Sequence, residues 1–304
     1  MLPTSEATAD FKSGFVAIAG APNVGKSTLL NRLLGEKISI TSKRPQTTRN
    51  RILGILHRPN SQLVFIDTPG LHRATGLLNQ LIVETALTAL GEADLVLAMI
   101  DAVRTDAESE KLLLASLEKA NLPAILAINK IDRLGDKTAL LSLIDQWSQS
   151  GLFDDIVPIS ALAGTQVDKL IETMMMRMPP GPPFYPEDSL TDLPQRFIVA
   201  EMIREKVFRL TGQEIPYASA VTVDRFSASR KRKIVEIHAS IHVERNSQKG
   251  IIIGKNGVKL RKIGEAARQD IERLVQSKVY LRLFVKVQRN WSRDARVLRR
   301  FGYQ

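Results

Sequence analysis

A chain of 304 residues, 44% hydrophobic and 25% charged, suits two globular domains that each bury a core. It has no cysteine, which excludes disulfides and thiolate metal sites, and no apolar run near the roughly 18 residues that span a bilayer. The net charge of +11 is unevenly placed: 18 Lys and Arg oppose 19 Asp and Glu through Pro180, and 25 oppose 13 from Gly181 onward, so the rear half is expected to meet a polyanion.

The opening MLPTSEATADFKSG lacks the basic start and apolar stretch of a signal peptide, and residues 1–13 are expected to be a disordered arm. Five short apolar runs follow: FVAIAG (15–20), LVFID (63–67), LVLAMID (95–101), AILAIN (124–129) and IVPIS (156–160). They are near-continuously apolar, as strands buried on both faces must be. Helical spacing fills 27–35, 77–91, 105–119, 138–148 and 166–177. This alternation predicts an α/β domain over 14–178, a mainly parallel sheet covered by helices, with ligands at the carboxyl ends of the strands. Six prolines in MPPGPPFYPEDSLTDLP, 178–194, predict a semi-rigid linker over 179–194. Beyond it, 195–211 is helical, YASAVTVDRF (217–226) and KIVEIHASIHVE (233–244) alternate like half-exposed strands, and the short segment SQKGIII leads to GKNG (254–257). A helix over 258–277 and a strand VYLRLFVKV (279–287) complete an α+β module over 195–290, followed by a basic tail, 291–304.

GAPNVGKS (20–27) matches G-x-x-x-x-G-K-[ST] between a strand and a helix, the setting a P-loop requires. Backbone amides over Gly20, Asn23, Val24, Gly25, Lys26, Ser27 and Thr28 would cradle phosphate, aided by the helix N-terminus. Lys26 would reach the β- and γ-phosphates and the Ser27 hydroxyl would ligate Mg²⁺. DTPG (67–70) supplies Asp67 for the metal and Gly70 for the γ-phosphate. In the polar loop TSKRPQTTRNR (41–51), Thr47 and Thr48 are both candidates to complete the metal shell; Ser27, Thr48 and Asp67 are taken as the set. NKID (129–132) selects the base: the Asp132 carboxylate can accept from guanine N1–H and the 2-amino group together, and adenine has neither donor there. Asn129 would bond the base edge, the Lys130 stem would cover its face, and Ser160, Ala161 and Leu162 would offer backbone N–H to guanine O6.

GAPNVGKS, QTT, DTPG, NKID and SAL stand in the order of the translation-factor-like GTPases, and with PQTTRNRILGI and the rear module the chain resembles the Era family from about residue 14 onward. The resemblance implies a Ras-like P-loop NTPase G domain followed by a type II KH domain, a GTP/GDP cycle with Mg²⁺, and binding to the 3′ end of 16S rRNA in maturation of the 30S ribosomal subunit. It implies a cytoplasmic monomer and leaves peripheral contact with the inner membrane open. GTP is expected to order 41–51 and 67–80 and to alter docking of the basic module. Leu71 stands where many GTPases carry a water-orienting glutamine. The resemblance places the chain among hydrophobically substituted GTPases, in several of which the asparagine at the position of Asn23 holds K⁺ near the phosphates; slow hydrolysis then rests on Lys26, Thr48 and Asn23, the alternative being that Asn23 only braces the loop. Equal turnover in Na⁺ and K⁺ buffers would remove that role. His72 is expected to be a mobile switch residue without a proton-transfer role.

In the rear module Gly254, Lys255, Asn256 and Gly257 form a G-x-x-G loop. Its glycines admit a sugar–phosphate backbone, Lys255, Lys259, Arg261 and Lys262 supply charge, and Ile251 and Ile252 are the candidate apolar base contacts. SRKRK (229–233) reads more as a solvated hairpin than as a phosphate-binding patch, His238 and His242 as exposed strand residues, and the tail more as a cap on the module through Trp291 than as an RNA contact. The competing readings are a switch whose tail binds protein or membrane, and a P-loop ATPase or kinase. RNA binding at low salt separates the first, and the base preference the second.

Overall fold

Lys12–Gly20 forms β1, the strand around which the first unit is built; seven of its nine residues are buried. The computed structural model describes residues 11–42, 47–71, 76–136, 138–212, 215–229 and 234–303. They fall into two units: the described residues of Met1–Ser39, Thr48–Thr75 and Ile82–Asp192, and those of Ile40–Thr47, Gly76–Leu81 and Leu193–Gln304.

In the first unit β1 leads to α1 (Lys26–Leu34), then β2 (Ile52–Arg58), β3 (Ser61–Asp67), α2 (Leu77–Gly91), β4 (Leu95–Asp101), α3 (Ala107–Ala120), β5 (Ala124–Asn129), α4 (Thr138–Ser148), β6 (Asp155–Ile159) and α5 (Val167–Arg177). The sheet order is β2-β3-β1-β4-β5-β6. All neighbours are parallel except β2 and β3. The central strands β4 and β5 are apolar along almost their whole length because both faces are covered. One face packs Ala17, Val96, Ala98, Leu126 and Ile128 against Leu90 of α2, Leu113 and Leu117 of α3 and Trp147 of α4. α3 starts where the Asp106 carboxylate accepts the Ser109 N–H at 3.2 Å, and stops at Asn121 in the left-handed region.

β2 is an element the apolar runs did not reveal. It pairs antiparallel with β3 at the sheet edge, from Ile52 opposite Asp67 to Arg58 opposite Ser61. The proline-rich stretch, expected as a linker, is fastened to this unit. The Gln62 side chain accepts the N–H groups of Phe184 and Tyr185 at 2.7 and 3.0 Å. Ile55 N–H donates to Leu190 O at 2.9 Å, Thr191 Oγ1 donates to Leu53 O at 2.6 Å, and the rings of Phe15 and Phe184 lie 4.9 Å apart. Proline excludes regular structure there but leaves carbonyls and side chains free to bind the edge strand.

The second unit runs α6 (Gln195–Leu210), β7 (Ser219–Ser229), β8 (Ile234–Val243), α7 (Asn246–Ile253), α8 (Val258–Val275), β9 (Lys278–Val287) and α9 (Ala295–Arg300). β7 and β8 are antiparallel with an irregularity between Val223 and Arg225; β8 and β9 are parallel. The α-β-β-α-α-β order matches the expected module, with α9 added in the tail. α6 buries charge, which it can bear because the charges are paired. Lys206 Nζ meets Glu205 at 3.2 Å and pairs with Asp270 of α8, and Arg204 pairs with Glu201 at 2.7 Å. The same helix holds residues from the polar loop of 41–51: Arg209 donates to Thr41 O at 3.0 Å, and Arg204 donates to Thr47 O.

Trp291 is buried and its indole N–H donates to Ala218 O at 3.2 Å, so it caps the module as expected. The two strand histidines, read from the sequence as exposed, are not. His242 is buried beneath the tail, its ring 4.3 Å from that of Phe301 and bonded to Thr222 Oγ1 at 2.9 Å; burial above all, with Lys286 and Arg300 nearby, holds its pKa down to about 4. His238 is partly covered, with Phe284 beside it at 6.2 Å. Residues 230–233 of SRKRK lie outside the described residues, as do Gln46 and His72.

Candidate functional site

The parallel register brings the motif ends to one edge of the first sheet: Ile18 lies opposite Asp67, Gly20 opposite Met99, and Asp101 opposite Asn129. Between β1 and α1 the backbone turns through Asn23 at φ 66° and Gly25 at φ 113°. A Cβ on Gly25 would fall 2.2 Å from Asn129 Nδ2, so the turn needs glycine both for its dihedral and for its space. No side chain caps the N-terminus of α1, whose first amides and dipole therefore face the loop. Thr28 is half-buried on that first turn. Lys26 is buried, and its Nζ donates to Gly20 O and Ala21 O, both at 2.9 Å. Burial pushes its pKa down to about 8, against the opposing pull of Asp67.

Asp67, at the end of β3, is fully buried. Its Oδ2 accepts the hydroxyls of Ser39 at 2.8 Å, Ser27 at 2.9 Å and Thr48 at 3.4 Å, and the Ser27 and Thr48 oxygens lie 2.9 Å apart. Burial raises the pKa of Asp67, while Lys26 and the three hydroxyls lower it. Asp67 Oδ1 has no hydrogen-bond partner among the described residues. A buried carboxylate oxygen without a donor, beside two hydroxyl oxygens, fits a small hard cation such as Mg²⁺. Thr48 is the threonine turned toward this cluster; Thr47 contributes its carbonyl to Arg204 instead. Gly70 lies against Pro22, where a Cβ would come within 2.7 Å of the proline nitrogen. Leu71 is buried in the core, with its N–H on Gly20 O at 3.1 Å, and cannot orient a water.

At the other end Asn129 braces loops. Its Nδ2 donates to Val24 O at 2.7 Å and its Oδ1 accepts the Ala161 N–H at 2.9 Å. The amide expected to bond a base edge thus ties the phosphate loop to the loop after β6, and Ala161 N–H is engaged. Lys130, at φ 70°, reaches Asn23 O at 2.6 Å and Asp101 Oδ2 at 2.5 Å, so its stem runs back along the phosphate loop. Asp132 lies in the short 3₁₀ turn Ile131–Arg133 with an exposed carboxylate that has no partner among the described residues. Ser160 is buried and its Oγ accepts the Ala163 N–H at 3.0 Å; Leu162 is exposed. The sequence reading missed Asn31, Asp101 and Ser39, none of which belongs to a recognisable motif.

In the second unit Gly254 ends α7 at φ 70°, ψ 175°, and Asn256 and Gly257 follow at φ 52° and 76° before α8 begins. Lys255, Asn256, Arg261 and Lys262 are exposed and Lys259 is half-buried. Of the two isoleucines expected to touch bases, Ile251 is 45% exposed but Ile252 is fully buried in the module core. Successive residues of a helix point about 100° apart, so Ile251 can face solvent while Ile252 faces the core. Val258, 50% exposed at the start of α8, is the aliphatic neighbour that the apolar spacing did not single out.

A 50S ribosome-binding GTPase family model matches residues 15–130, and a KH domain model matches residues 214–292. The GTPase Era of Geobacter metallireducens is 54% identical over 96% of this chain and 98% of its own length. That of Geotalea uraniireducens is 53% identical over 97% and 98%. A crystal structure of Era in complex with MgGDPNP and nucleotides 1506–1542 of 16S ribosomal RNA is similar at 43% identity and TM-score 0.93, covering 96% of this chain and 99% of its own. A point variant of Aquifex aeolicus Era bound to GDP.AlF4− is similar to the same degree, at 43% identity and TM-score 0.93 over 96% and 99%. With the phosphate cradle in one unit and the glycine loop in the other, the chain belongs to the Era family of GTPases, a P-loop GTPase domain followed by a KH domain.

Proposed function

We propose that this protein hydrolyses GTP at the cradle of residues 20–28 and uses the loop Gly254–Gly257 to hold the single-stranded 3′ end of 16S rRNA during maturation of the 30S subunit. One observation supports this most: both sites stand in one chain that is alike, over 96% of its length, to an Era structure holding MgGDPNP and 16S ribosomal RNA. Guanine would be selected by Asp132, the exposed carboxylate of NKID. Lys26 would leave the carbonyls of Gly20 and Ala21 for the β- and γ-phosphates. Ser27, Thr48 and Asp67 would hold Mg²⁺, which neutralises charge on those phosphates. Asn23 would hold K⁺ beside them. With Leu71 buried, water is left without a side-chain guide at that position, which suits slow intrinsic turnover. The protein would work as a cytoplasmic monomer, its basic rear half free to touch the inner membrane peripherally; among the described residues no helix is long and apolar enough to cross a membrane.

Ultraviolet crosslinking to a single-stranded 16S 3′-end oligonucleotide, with GDPNP or with GDP, tests the reading. Stronger crosslinks near Gly254 with GDPNP are expected. Equal crosslinking in both states would count against coupling, and none in either against the RNA assignment.

Lys26 adds a pH signature. Its pKa of about 8 is a consequence of burial, which outweighs the opposing pull of Asp67. Phosphate oxygens beside it would raise that value, so between the two the free protein is deprotonated and the complex protonated. GDP binding at pH 9 should therefore take up a proton, and affinity should fall by up to about tenfold per pH unit above pH 8. Calorimetry at pH 9 in two buffers of different ionisation enthalpy measures this. Identical heats would contradict it.

A further inference from the structure

Ser39 lies outside every nucleotide-binding motif, yet it makes the shortest of the three hydroxyl contacts to the Asp67 carboxylate, 2.8 Å. It is 2% exposed. Its position is built from α1: Asn31 Oδ1 accepts the N–H groups of Ile38 and Ser39, both at 3.0 Å, and Asn31 Nδ2 donates to Ser39 O at 2.8 Å. Asn31 stands one turn after Ser27, so both side chains rise from the same face of α1. The preceding Ile38 is buried as well. Two side-chain bonds from Asn31 thus fix Ser39 and a third fixes Ile38 before it, and the Ser39 hydroxyl fixes Oδ2 of Asp67 while Oδ1 keeps no hydrogen-bond partner among the described residues.

We propose that Ser39, braced by Asn31, is a positioning residue that orients the Asp67 carboxylate for Mg²⁺. The proposal rests on the GTP and Mg²⁺ reading above. Ser27 and Thr48 are themselves candidate ligands, so their hydroxyls must satisfy both the carboxylate and the metal. Among the described residues the Ser39 hydroxyl bonds the carboxylate alone, and it aims that group whichever way the other two hydroxyls turn. Partners of this outer kind set metal affinity without touching the metal.

The test is release of a fluorescent GDP analogue from the full-length protein as a function of free Mg²⁺, with an EDTA control. Wild type should release more slowly as Mg²⁺ rises; if it does not, the Mg²⁺ reading above fails and takes this proposal with it. Given that response, Ser39→Ala should need about tenfold more Mg²⁺ for half-maximal slowing, with release in EDTA unchanged. Ser39→Thr, which keeps the hydroxyl, should restore the wild-type midpoint. Asn31→Ala removes the brace without touching Asp67 and should shift the midpoint the same way by less, which covers the case of a Ser39→Ala that does not fold. A wild-type midpoint in both alanine variants overturns the proposal. So does a change of equal size in EDTA, which would mark a merely structural role.

Discussion

Asp132→Asn is expected to lower GTP affinity by about two to four orders of magnitude while creating affinity for XTP. A carboxylate can accept from guanine N1–H and the 2-amino group at once, and each hydrogen bond to a charged group contributes roughly 1.5–3 kcal/mol. Asparagine keeps one acceptor for N1–H but points a donor at the 2-amino group. Xanthine has a carbonyl there, so the amide N–H finds an acceptor and the pattern is restored. The structure makes this substitution clean. Asp132 is exposed, sits in a short 3₁₀ turn and has no partner among the described residues, so the fold should not register its loss. Fluorescence competition with GTP, XTP and ATP reads the result, and unchanged GTP affinity would reject the base assignment. The neighbouring Asn129 makes the contrast: it bonds Val24 O and Ala161 N–H, so Asn129→Ala should unsettle the phosphate loop and lower affinity for every nucleotide alike.

The second large effect is expected at the other loop. Gly254 has φ 70° and ψ 175°, a region essentially closed to residues with a Cβ, and a Cβ there would lie 2.8 Å from that of Lys259. Gly254→Asp adds that atom and a negative charge where a phosphate would approach. RNA affinity should fall by about a hundredfold, or roughly 2.8 kcal/mol, while GDP binding in the first unit stays intact. Because the glycine substitution can also disturb the turn between α7 and α8, Lys262→Ala serves beside it. That lysine is exposed and makes no ion pair among the described residues. Its removal should reduce the slope of log affinity against log salt by about one. RNA binding unaffected by either change would place the RNA elsewhere on the molecule.

What could be read from the residues, and what could not, divides along a physical line. The parallel core strands were legible because burial on both faces leaves an uninterrupted apolar run with a polar motif at its end: LVFID ends in Asp67 and AILAIN in Asn129. The seven residues ILGILHR of β2 follow a basic loop, contain a glycine and lead directly to another strand without a helix, so the β-α alternation passed over them. The proline stretch reads as a semi-rigid linker, and its fastening to β2 was not legible, since backbone bonds to an edge strand carry no compositional signal. Within the site, motif residues were legible because phosphate and guanine impose their spacing. Ser39, Asn31 and the burial of Ile252 and His242 were not, since each depends on contacts between distant segments: Asp67 for Ser39, the core of the second unit for Ile252, and Phe301 for His242.

The proposed function depends on the first unit gripping a guanine nucleotide, and calorimetric titration of the full-length protein with GDP and with ADP, both in Mg²⁺, tests that most directly. The expected result is saturable binding of GDP with ADP weaker by at least about a thousandfold, the scale of discrimination when a site's polar groups are left unpaired. Equal affinities, or tighter binding of ADP, would contradict it.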